Sequence, residues 1–265
     1  MKKFFIASVL LSIIITAFAH EYILLASKFK LAKGDTLELH LFVADGFNIE
    51  LERPLQKFIT RNFELLNENG TNNLSMDASD GTLPIVKKAV DFEGLGLIHM
   101  ERDYAKITLP TAKFLSYLKE DHIENITVPK NAAKQEQHER YSRYVKCLVQ
   151  SGKVKADTLY KTITGQNFEI LLLQNPYSIH PGKTIQVKLL FMGNALGNKL
   201  ITARNRTGSE PVITLTARTD ARGICTFPIN RKGDWFIHAT HMIPCPDKAE
   251  ADWESFWASY SFGIE

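Results

Sequence analysis

Between residues 36 and 44 the chain reads TLELHLFVA, and Leu37, Leu39, Leu41 and Val43 alternate with Thr36, Glu38, His40 and Phe42. A period of two puts the two sets on opposite faces of an extended backbone, so this stretch predicts a half-buried strand after the Lys33-Gly34-Asp35 turn. NFELLNENG, which ends in an Asn-Gly turn, and LGLIHMERD, after the Gly94 and Gly96 breakers, predict further short strands. The pattern changes across 114–149. There AKFLSYLKEDHI and EQHERYSRYVKCLVQ carry apolar or aromatic residues three and four apart, which predicts two helices separated by the Pro129 region. Strand patterns resume in NFEILLL, KTIQVKLLF after the Pro181-Gly182 turn, GNKLITARN, PVITLTARTDARGICTFPI and GDWFIHATHM. Turn residues recur there about every 8–12 positions, as in a β-sandwich.

These elements predict a mainly β fold: two β-sandwich domains, 20–110 and 161–265, with a short helical connector at 111–160. Residues 1–19 read as a signal peptide, since Lys2 and Lys3 precede a short apolar run at 4–15 and Ala17 and Ala19 complete an A-x-A cleavage site. That run is about a dozen residues, against the roughly 20 needed to span a bilayer. The expectation is therefore a periplasmic or secreted protein that begins at His20 and has no transmembrane segment after cleavage. Three cysteines, Cys147, Cys225 and Cys245, allow at most one disulfide, and the sequence leaves a Cys225–Cys245 pairing open. The formal charge of +3 is spread without a basic block, which argues against a nucleic-acid partner.

Nucleophilic catalysis has no footing in the motifs, because there is no G-x-S-x-G elbow and no phosphate-cradling glycine loop. Histidines are the remaining lead. An N-terminal His20 offers an α-amine and a ring nitrogen to one ion, a donor pair that suits copper, nickel, cobalt or zinc. His238 and His241 stand three apart in WFIHATHM, a spacing that sends them to opposite faces of a regular strand. Joint ligation needs a bulge or a strand end between them, and Pro244 follows closely enough to suggest the latter. His40 reads as solvated on the polar face of its strand and His99 as a ligand or a sheet partner. His122 and His138 read as connector surface, and His180 as loop. The aromatic run DWESFWASYSF reads as core, with a carbohydrate-stacking platform as its functional rival.

The stretches HEYILL, LHLFVADGF, FLSYLKEDHI, RYSRYVKCL, NPYSIHPGKTIQVKLLFMGNAL, TDARGICTFPINRKGDWFIHATHM and DWESFWASYSF together resemble a bacterial domain-of-unknown-function family. Its members are described as periplasmic components associated with nickel or cobalt uptake. The resemblance implies that the second sandwich is of the prealbumin or carboxypeptidase-regulatory type. It also implies a divalent transition metal as ligand, held by His20, His238 and His241, and a membrane metal-uptake component as partner. Where family members carry a histidine in this stretch, VADGF has Ala44 and Asp45, so an oxygen donor stands there or none. Two rival readings remain from the sequence: a copper-dependent oxidative enzyme acting on a polymer, and a structural or interaction β-sandwich that binds no metal.

Overall fold

The computed structural model describes residues 21–128, 135–153 and 157–265, so the predicted signal peptide at 1–19 and His20 lie outside the described residues. The first half contributes β1 (Glu21–Ala26), β2 (Lys30–Leu31), β3 (Thr36–Asp45), β4 (Asn48–Glu52), β5 (Thr60–Asn67), β6 (Gly70–Asn73), the one-turn helix α1 (Leu74–Asp77), β7 (Val86–Ala89) and β8 (Gly94–Pro110). Helix α2 (Thr111–Glu120) and β9 (Glu136–Ser151) follow. The second half contributes β10 (Phe168–Leu172), β11 (Lys183–Phe191), β12 (Asn194–Ala195), β13 (Leu200–Arg206), β14 (Ile213–Arg218), β15 (Ile224–Ile229), β16 (Gly233–Pro244) and β17 (Trp253–Ile264).

Three sheets form. The largest has nine strands in the order β14-β13-β16-β17-β9-β8-β5-β6, with β2 beside β9. One four-stranded sheet is β1-β3-β4 with β7 on β3, and the other is β10-β11-β12 with β15 on β11. Along β17 successive side chains reach opposite layers, as a period of two requires. Ser259 and Ser261 donate to the Tyr22 and Leu24 carbonyls of β1 on one side. On the other side the Phe256 ring lies 5.0 Å from that of Phe191 in β11. The nine-stranded sheet is thus a middle layer covered on both faces.

That double cover explains why β9 and β17 lack a clean alternation. In β17 every residue from Glu254 to Ile264 is buried, so both faces of the strand are core. The predicted second helix is corrected here. Tyr141, Tyr144, Val145 and Leu148 imitate helical spacing, yet 136–151 is the strand β9, antiparallel to β8 and parallel to β17. The predicted first helix does form as α2 and buries Phe114, Tyr117 and Leu118, positions i, i+3 and i+4. Strand pairing also crosses the expected domain boundaries, since the middle sheet draws strands from 20–110, 111–160 and 161–265 alike. Among the described residues no helix is long and apolar enough to cross a membrane.

Candidate functional site

β16 pairs with β17 without a break from Gly233↔Ile264 to Pro244↔Trp253. No bulge separates His238 from His241, and Pro244 ends the strand only after both. The two rings therefore go to opposite layers. His238 Nε2 lies 2.8 Å from Glu21 Oε1 in β1. The ring of His241 stands 4.6 Å from Phe191 and 6.0 Å from Phe168, against β11 and β10. The structure does not bring the two predicted ligands together.

His238 opens instead onto a cleft of about 520 Å³, lined among others by Glu21, Asp45, Asp121, His122 and Arg204. Glu21 is its anchor. It receives Arg204 Nη1 and the His238 ring on Oε1, and the Gly46 amide donates to Oε2 at 2.8 Å. Burial pushes the Glu21 carboxyl upward, but the charges and hydrogen bonds of His238 and Arg204 outweigh it and hold the group at about 2. Asp121 has no ion-pair or hydrogen-bond partner for its side chain among the described residues, and the pull of Lys199 on it is weak. Burial, reinforced by Glu21, Glu139 and Glu120, raises its carboxyl to about 8.

Asp121 and His122 reach the cleft because α2 ends there. The Ile123 amide donates to Leu118 O at 2.8 Å and the His122 amide to Lys119 O at 3.3 Å, the paired bonds of a Schellman ending. That ending needs a left-handed residue, and His122 takes it with φ 53, a conformation that favours glycine. His122 also lines a smaller cavity of about 200 Å³ with Lys199 and His241. Burial, with Lys199 adding repulsion, pushes the His241 ring down to about 4.

The remaining predicted positions are accounted for one by one. His40, expected to be solvated, is only partly so: it bonds Glu52 at 2.7 Å and Ser27 at 2.9 Å and stacks on Phe42. His99 is buried against Glu64 at 3.2 Å, in the layer away from the cleft. His138 bonds Thr108 at the surface, and His180 sits in a loop before β11. The three cysteines, all among the described residues, are buried and free, so Cys225 and Cys245 are not bridged. Phe256, Trp257, Tyr260 and Phe262 are buried, and they form no exposed aromatic row.

The family described as a domain of unknown function, DUF4198, matches residues 17–243. The chain belongs to the DUF4198 family. No curated protein matches it in sequence. Among solved structures, the DUF4198 chain is similar to the D0-D1 domain of intimin, at 12% identity over 90% of this chain and 96% of that one, with a TM-score of 0.21. A tetra-tandem repeat from the extending region of a large adhesion protein matches at 10% identity over 92% of this chain and 49% of that one, also with a TM-score of 0.21. The DUF4198 chain thus spans about half the length of that adhesion fragment.

In this DUF4198 chain the sequence pattern pointed to His238, and to Asp45 through the resemblance, but missed Glu21, Asp121, His122 and Arg204. Glu21 carried one available signal, a carboxylate directly after the expected mature terminus. Arg204 carried none, because its partner Glu21 is 183 residues away along the chain. Among the described residues no group of three or more His, Cys, Asp or Glu side chains is placed to hold a metal ion.

Proposed function

We propose that this protein is a periplasmic binding protein for a divalent transition-metal ion, nickel, cobalt, copper or zinc, which it captures or delivers to a membrane uptake component. The ligands are the α-amine and ring of His20, released by removal of 1–19, together with the ring of His238. The supporting observation is the 2.8 Å bond between His238 and Glu21, the residue that directly follows His20. Consecutive Cα atoms are about 3.8 Å apart, so this bond ties the chain next to the terminal histidine to the wall that carries His238. A ring that gives its Nε2–H to a carboxylate keeps a lone pair on Nδ1, the orientation found in carboxylate–histidine–metal arrangements. The described residues supply too few ligands alone, so the reading depends on the two nitrogens of His20. His241 is left out of the set because it faces the opposite layer.

Calorimetric titration of nickel, cobalt, copper and zinc into protein whose His20 terminus is verified by mass spectrometry tests the proposal. Saturable binding is expected for at least one ion. His238→Ala, or one extra residue ahead of His20, is expected to weaken it at least about tenfold, while His241→Ala leaves it unchanged. The donors must be unprotonated to coordinate, so affinity is expected to fall as pH drops below the α-amine range near ~8. Equal affinity in the extended and the His20-first proteins overturns the reading.

A further inference from the structure

A second cavity, of about 420 Å³, lies between β1, β8, β9 and the segment around Gln56. Its volume falls within the range of small-molecule sites. Two arginines set its character. Arg102 of β8 and Arg143 of β9 are direct cross-strand neighbours, a placement that repels when both are charged. Both guanidinium groups gather on one aromatic ring, with the Arg143 carbon 4.1 Å and the Arg102 carbon 5.2 Å from the centre of Tyr22. Arg143 also lies 4.5 Å from the Tyr141 ring.

Neither arginine has an ion-pair partner among the described residues. Arg102 is 5% exposed, and its Nη2 donates to Gln56 Oε1 at 2.7 Å. Arg102 Nη1 and Arg143 Nε are buried and lack any hydrogen-bond partner among the described residues. The wall carboxylates form no ion pair with either arginine, although Glu139 is attracted to Arg143 from a distance. Asp103 is engaged by Arg61, and Glu139 accepts from the Tyr117 and Ser255 hydroxyls while burial pushes it up to about 7. The lining also includes the apolar side chains of Ile59, Ile107, Leu109 and Trp257. The half-buried Arg143 lines the cavity and makes no hydrogen bond or ion pair among the described residues, so its Nη groups are unpartnered donors on a permanent cation, open to an acceptor in the cavity.

We propose that this cavity binds a small organic anion, with its oxyanion group against the Arg143 guanidinium and its apolar body against Trp257, Ile107 and Leu109. The planar guanidinium fork suits carboxylate and phosphate oxygens alike, so the probes separate the two. Benzoate, phenyl phosphate, inorganic phosphate and neutral benzamide are titrated calorimetrically into the full chain with EDTA present, and the melting temperature is followed with each. Saturable binding and a raised melting temperature are expected with benzoate, phenyl phosphate or both, which identifies the preferred oxyanion. Benzamide is expected to be inert and inorganic phosphate weaker than phenyl phosphate. Arg143→Gln is expected to weaken the organic anion at least tenfold. Should that variant not fold, Arg143→Lys, which keeps the charge and loses the fork, is read the same way. The proposal is overturned by absence of saturable binding for both organic anions, by undiminished binding in the Arg143 variant, or by inorganic phosphate binding as tightly as phenyl phosphate.

Discussion

The ring of His241 illustrates how far surroundings override a residue's ordinary chemistry. Phe168 and Phe191 enclose it, its Nδ1 is buried with no partner among the described residues, and its pKa falls from 6.5 to about 4. Between those values the unfolded chain takes up a proton that the folded ring refuses, so stability is full above the upper value and declines as pH falls toward the lower one. By linkage the loss at pH ~5 is on the order of 2 kcal/mol. His241→Phe is expected to abolish this component: the gap in urea midpoint between pH 7.5 and pH 5 narrows relative to the parent, and an unchanged gap contradicts the assignment. The three-residue spacing from His238 already implied opposite faces for a regular strand. What it did not reveal was that β16 stays regular past both histidines, because that depends on unbroken pairing with β17.

Elements were legible where their pattern reflects one covered face. β3 alternates, with Leu37, Leu39 and Leu41 buried between partly or fully exposed neighbours, and α2 buries a single stripe. β9 was misread because its second half, from Tyr144 to Ser151, is covered on both faces and has no polar side from which to count a period, and its tyrosines fell at helical intervals. Turn chemistry at strand ends is a separate local signal, and Gly233 at the start of β16 uses it fully. It has φ 102, and a Cβ there would meet Arg206 O at 2.2 Å. Gly233→Ala combines a left-handed backbone penalty with a clash against main chain that cannot move aside, so a loss of about 3 kcal/mol is expected in urea denaturation. A change within about 0.5 kcal/mol, the range of ordinary surface substitutions, would show that the turn relaxes freely.

At the scale of the whole molecule, the middle sheet makes the halves interdependent. β17 lies between β16 and β9, and its pairing with β9 runs from Trp253↔Glu139 to Ser261↔Cys147. A fragment comprising 161–265 would present that edge and its apolar faces to water, so it is expected to show no cooperative unfolding transition and poorly dispersed amide signals in NMR. A well-dispersed, cooperatively melting fragment would support the two-domain division. Sequence by itself determined the β character, α2 and the turn positions, and it marked His238 as a residue to watch, because each of these depends on neighbours within a few residues. Tertiary structure decided that β9 is a strand, that Glu21 meets His238 and Arg204, and that Arg102 and Arg143 converge on Tyr22. Those outcomes rest on contacts between distant segments, whose register and layering are set by burial of both faces of one sheet, a constraint no local window contains.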